Sequence, residues 1–146
     1  MVGKKDKIPK IIGNVKIYVL KGNKWIKKVD KKNVITNVGL SQAIKLIFGV
    51  DTNVFKYIAI GTGTTTPSEN DTQLENEIQR FSASAEYFDP HNVKLTAVGV
   101  VNQDANITEA GVFNSESNGV MLARQVFEAV SVSSGDPIKV VWEFSF

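Results

Sequence analysis

Ile138-Lys-Val-Val-Trp-Glu-Phe-Ser-Phe146 is the stretch that decides the fold of this chain. Ile138, Val140, Trp142, Phe144 and Phe146 are apolar at strict period two, and Lys139, Glu143 and Ser145 take the other phase. A strand that buries one face and wets the other requires that alternation. Chain termini are ordinarily where order fades, so two Phe and a Trp in the final nine residues predict a closing strand locked into a sheet. The end of the chain is expected to be core, which is the mark of a building material more than of a catalyst.

Working back from that strand, Ser133-Ser134-Gly135-Asp136-Pro137 reads as a turn. Val120–Phe127 and Ile107–Phe113 flank Asn114–Gly119, a hairpin loop of turn formers. Val93–Val101 keeps Val93, Leu95, Ala97 and Gly99 in phase, and Asp89-Pro90-His91-Asn92 joins it to a strand at Ser82–Phe88. Asp71–Arg80 fits either a short helix or an extended segment. Phe55–Ile60 is a short apolar run suited to a strand buried on both faces, and Gly61–Ser68 after it is a loop.

The first third holds a hairpin and a helix. Val15, Ile17 and Val19 alternate with Lys16, Tyr18 and Leu20, Lys21–Lys24 turns, and Trp25–Val34 resumes as a strand. Leu40, Ala43, Ile44, Ile47 and Phe48 then form one apolar stripe at helical spacing. Asn37 is positioned to cap this helix of about 38–49, and Gly49 to end it in a left-handed conformation. The pattern predicts a mainly β protein: an antiparallel β-sandwich or barrel at residues 11–146, with one short inserted helix and an extended basic arm at residues 1–10.

Composition bounds the function. The 146 residues suit one domain, and no apolar run approaches the ~20 residues of a membrane-spanning helix. Met1-Val2-Gly3-Lys4-Lys5 carries charge but no apolar stretch, so it does not read as a secretory signal. Cysteine is absent, which excludes disulfides, thiol catalysis and thiolate metal sites. The net charge of +2 hides an asymmetry: residues 1–32 carry +9 and residues 33–146 carry −7. A basic leader on an acidic body points to a negative partner. Lys4, Lys5, Lys7, Pro9 and Lys10 are the candidate arm residues, and Glu69, Asp71, Glu75 and Glu77 form a candidate acidic surface for a neighbouring copy.

Motifs of catalysis are sparse. Gly61-Thr62-Gly63 lacks the third glycine and the βαβ setting of a dinucleotide site, so its glycines are read as allowing positive φ at a strand exit. His91 is the only histidine and sits in a turn, with no second imidazole for zinc and no Gly-x-Ser-x-Gly elbow for a triad. Neither the acidic stretch nor any other segment has calcium-loop spacing. The expectation is no enzyme and no cofactor. Tyr18 and Trp25 among the lysines resemble a stacking platform for nucleic acid. Yet residues 1–32 contain no Arg, the usual bidentate reader, which disfavours that partner.

Three segments carry a resemblance. Tyr57-Ile-Ala-Ile-Gly-Thr-Gly-Thr-Thr-Thr-Pro-Ser-Glu-Asn-Asp-Thr-Gln-Leu74, with Glu77 and Arg80, is the first. Ile107-Thr-Glu-Ala-Gly-Val-Phe-Asn114 with Gly119–Phe127 is the second, and Gly135–Phe146 is the third. In this order they resemble structural proteins of tailed-bacteriophage virions, above all the small head decoration (cementing) proteins of thermophilic phages. A related pattern occurs in tail-fibre proteins. The resemblance implies a β-rich body that binds the major capsid protein at the outer surface of an expanded head, as a homotrimer with an N-terminal arm engaging neighbours. It places the protein on the virion, assembled in the host cytoplasm. A tail-fibre or baseplate subunit, and a carbohydrate- or nucleic-acid-binding β module, stand as alternatives. The resemblance covers roughly residues 55–146, and residues 1–36 carry no motif of it.

Overall fold

The computed structural model describes residues 10–145; Lys4, Lys5, Lys7, Pro9 and Phe146 therefore lie outside the described residues. Ten strands and one helix follow in order: β1 Ile12–Lys21, β2 Lys24–Lys32, β3 Val34–Ile35, α1 Asn37–Ile47, β4 Tyr57–Gly61, β5 Glu77–Ser82, β6 Ser84–Phe88, β7 Asn92–Val100, β8 Ala105–Phe113, β9 Met121–Val132 and β10 Pro137–Ser145. They form two antiparallel five-stranded sheets, ordered β2-β1-β10-β7-β6 and β3-β9-β8-β4-β5. The architecture is a β-sandwich and not a closed barrel. The chain passes between sheets at both edges, at Asn33 between β2 and β3 and at Ala83 between β5 and β6.

The stretch at the C-terminal end takes the central place of the first sheet. β10 pairs with β1 over Ile12–Val19 and with β7 over Asn92–Val100. Ile138, Val140, Trp142 and Phe144 are buried, packing with Val15, Ile17 and Val19 of β1 and with Leu95 and Ala97 of β7. Trp142 stacks on Phe144 with centroids 6.3 Å apart. The second sheet supplies Ile58, Ile60, Ala110, Val112 and Ala123 to the same core. Both neighbours of β10 are strands, so its backbone groups are paired on each side, as burial in a sheet requires.

Several boundaries differ from the sequence reading for identifiable reasons. Residues 71–76 stay irregular and 77–82 are extended, because β5 pairs with β4 along Tyr57–Gly61. The helix is capped by Thr36, one residue before Asn37: its Oγ1 accepts from Gly39 N and donates to Met121 O. Asn37 instead ties the helix to the loop before β5, its N–H reaching Glu69 O at 2.8 Å. Gly49 follows the helix at φ +70°, a conformation that favours glycine.

The apolar stripe of α1 points outward. Gly39 rests against the backbone of Leu122, where an added Cβ would approach Cα to 2.6 Å. This close seat turns Gly39 and Gln42 inward and leaves Leu40, Ile44, Ile47 and Phe48 exposed. The helix spans an end of the sandwich over an apolar cavity of about 320 Å³, bounded by Phe55, Leu122, Val93, Leu95 and Phe144.

Candidate functional site

The densest polar construction lies on the outer face of the second sheet. β8 is apolar from Ile107 to Phe113 except at Thr108 and Glu109, and β9 carries Arg124 in an apolar run. Both side chains are buried, Glu109 wholly and Arg124 to within 2%. Glu109 Oε1 accepts from Arg124 Nε at 3.1 Å and from Glu75 N at 3.0 Å; Oε2 accepts from Gly63 N at 2.8 Å and Asn76 N at 2.7 Å. Arg124 Nη1 donates to Asp71 Oδ2 at 3.0 Å, and Asp71 also accepts from Ser68 N. A buried carboxylate with four donors and a charged partner meets the demand that buried charge be paired and hydrogen-bonded.

This construction folds the loop of residues 62–76 back over the sheet. Leu74 plugs a small second cluster with Ala59, Phe113 and Met121. Glu75 closes the loop on itself, its carboxylate taking Thr64 N, Thr65 N and the Thr65 hydroxyl. The Thr65 hydroxyl, then the Thr65 and Thr64 amides, hold the Glu75 carboxyl below its ordinary value. Arg80 lies 3.8 Å over the Phe113 ring, pairs with Glu77, and donates to the carbonyls of Ser115 and Asn118.

Gly61 and Gly63 have a different purpose from the one expected of them. Neither has positive φ; Gly22, Gly49, Gly119 and Gly135 do. A Cβ on Gly63 would meet Glu109 Oε2 at 2.5 Å and Glu75 Cβ at 2.4 Å. The glycines make room for the buried carboxylate.

The four acidic residues are thus differently employed. Asp71 pairs with Arg124, Glu75 binds its own loop and Glu77 pairs with Arg80. Among the described residues, Glu69 alone of the four makes no side-chain hydrogen bond or ion pair. Glu109 and Arg124 escaped the sequence reading, although a charge inside each of two apolar strands was the available signal.

The outer face of the first sheet is the second feature. Tyr18 and Trp25 share it, and Lys139 Nζ sits 4.7 Å from one ring and 4.9 Å from the other. Lys16 pairs with Glu143 at 3.1 Å, an interaction that raises the lysine's pKa. Lys27 bonds Asp30, as does Asn14; these two contacts depress the Asp30 carboxyl, Asn14 contributing more. Lys31 donates to Val126 O and the Gln125 amide to Lys32 O, holding the β2 edge against β9. Tyr87 is set opposite Val93 on β7, in the other phase of the sheet. Lys10 is exposed.

His91 is exposed in the β6–β7 turn at φ +60° and borders the cavity under α1. Among the described residues, no group of three or more His, Asp or Glu is placed to hold a metal ion, and no helix is long and apolar enough to cross a membrane. Comparison with protein-family models, curated proteins and solved structures finds no match for the chain.

Proposed function

We propose that the chain is a virion structural protein: a decoration protein that binds the major capsid protein on the outside of an expanded phage head, as a trimer, and stabilises the shell. One observation carries this reading. The segments that bear the resemblance are the ones that interlock. Gly63 and Asp71 from the first segment meet Glu109 and Arg124 from the second, and the third supplies Trp142 and Phe144 to the shared core. Residues devoted to fixing a rigid body are what a cementing protein needs. Such a protein acts by offering several contacts at once, so that later contacts become intramolecular. Binding the assembled shell alone, it adds its binding energy to shell stability by linkage.

The test is to incubate the purified protein with expanded empty heads of its phage and image the shells. Added density over three-fold positions is expected. Bare shells overturn the reading. Reversing Lys4, Lys5, Lys7 and Lys10 to Glu is expected to lower occupancy, more at low salt than at high.

A second reading is favoured by the Tyr18–Lys139–Trp25 arrangement. Aromatic faces beside lysines on an exposed sheet suit a sugar ring or a single-stranded polyanion. Titration of a glycan panel and of oligonucleotides against Trp25→Ala checks it, with loss of binding in the variant as the supporting outcome.

A further inference from the structure

Helix α1 is apolar on both sides. Ala43 and Leu46 face the cavity beneath it, whereas Leu40, Ile44, Ile47 and Phe48 face outward at 44, 58, 67 and 75% exposure. Val50 at 74% and Val54 at 51% prolong the same apolar band past Gly49. A surface helix ordinarily turns its apolar stripe to the core, and this one turns Gly39 and Gln42 there and its stripe outward. At these fractions the six outward residues expose on the order of 600 Å² in all, backbone included, which is the upper end of the largest patch on a typical monomer and short of the ~800 Å² per partner of a standard interface.

The band also has a hole beside its knob. Ile47 belongs to both the exposed stripe and the cavity wall, so the 320 Å³ cavity is continuous with the band. Its lining is apolar apart from His91 and Ser145. Phe48, the most exposed large apolar side chain among the described residues, stands at the end of the helix. A benzene ring fits a cavity of about 150 Å³, so this one has room for an aromatic side chain with space left over.

Charge narrows the occupant. Lys45 is the one charged residue of the helix, and Asp51 lies nearby with its carboxyl depressed first by the Asn53 and Thr52 amides. An anionic lipid surface calls for a row of Lys or Arg flanking the apolar face, which this helix lacks. A surface carrying both a knob and a hole, with little net charge, is matched by another copy of itself.

We propose that the outward face of α1 is the self-association surface of the chain, with Phe48 of one copy seated in the cavity beneath α1 of the next. The inference deepens the oligomeric part of the reading above and is independent of the capsid. A two-fold pair exchanges two such contacts; a closed ring repeats one per copy.

The test is light scattering on the full chain, for the wild type, Phe48→Glu and Ala85→Trp. Phe48 is solvent-exposed in one copy, so its replacement spares the fold; Ala85 lines the cavity, and Trp there fills the hole without removing core. The wild type is expected to be oligomeric. Both variants are expected to be monomeric, with dissociation constants raised about a hundredfold or more and with unchanged hydrogen-exchange protection along β10. An oligomeric Phe48→Glu protein overturns the proposal. An Ala85→Trp protein of wild-type mass overturns the seating of Phe48. A monomeric wild type overturns self-association, and one that binds apolar dye only after residues 1–9 are deleted assigns the face to the chain's own N-terminal segment. Oligomers that leave heads bare sustain the interface and sink the capsid reading alone.

Discussion

The Glu109 carboxylate and the Arg124 guanidinium meet at 3.1 Å with neither side chain open to solvent. They come from adjacent strands and fasten a loop that neither strand contains. Four donors on Glu109 and the second ion pair of Arg124 with Asp71 offset the desolvation that burial imposes.

Removing one partner should therefore be far worse than removing both. Glu109→Ala leaves a buried guanidinium with only Asp71 and orphans three amides, at an expected cost of ~3–5 kcal/mol. Glu109→Leu with Arg124→Leu should recover much of that loss, while the Gly63 and Asn76 amides still exchange faster than in the wild type. Urea denaturation gives the first comparison and hydrogen exchange the second. A single-variant loss below ~1 kcal/mol would contradict the role assigned to the pair.

Gly63→Ala tests the close approach. The added methyl overlaps Glu109 Oε2 and Glu75 Cβ, and the loop amide beside it is already bonded to Glu109. A loss of ~1–3 kcal/mol is expected, by overpacking. Gly22→Ala meets nothing within 4 Å and pays only for its φ of +63°, so its loss should be smaller, about 1 kcal/mol. A loss at Gly63 no larger than that at Gly22 would mean that the loop yields to the methyl, and that room for the carboxylate does not explain Gly63.

Glu75 predicts an acid-labile loop. Its pKa is lowered from an ordinary 4.5 in the folded chain, so the stabilisation exists above the unfolded value and is lost as pH falls through the folded one. Exchange protection of the Thr64 and Thr65 amides, corrected for intrinsic rates, should hold at neutral pH and decline below pH 4.5. In Glu75→Gln that decline should vanish. Protection that is flat with pH in the wild type would exclude Glu75 as the clasp.

The sheets were legible in the sequence and the loop was not. Period two in Ile138–Phe144 and in Val15–Val19 reports burial of one face directly, because each strand has a core on one side and solvent on the other. The loop of residues 62–76 obeys no period: its conformation is set by Glu109, some 34 residues beyond Glu75. The lone charges Glu109 and Arg124 in two apolar strands signal a buried pair, but nothing in the pattern of residues 62–76 says that this loop meets it. The helix misled in a subtler way. Its stripe was plain, but a stripe reports an apolar face without naming what the face meets, and the contact of Gly39 with Leu122 turned it outward.

Trp142 and Asn33 tie the closing strand to the point where the chain changes sheets. Trp142 Nε1 donates to Asn33 Oδ1 at 2.7 Å, and Asn33 N donates to Gly13 O at 3.0 Å, immediately between β2 and β3. Gly13 has no side chain because Asn33 Oδ1 occupies the space a Cβ would take. Trp142→Ala opens a cavity in the main core and should cost ~3–5 kcal/mol. Trp142→Phe keeps most of the packing but strands the Asn33 oxygen, an expected ~1–3 kcal/mol. In a double-mutant cycle of Trp142→Phe with Asn33→Ala, a coupling of about 1 kcal/mol marks the bond as part of the crossover. Additive losses would leave Trp142 a packing residue only, and the crossing at Asn33 would then depend on Gly13 and β3 alone.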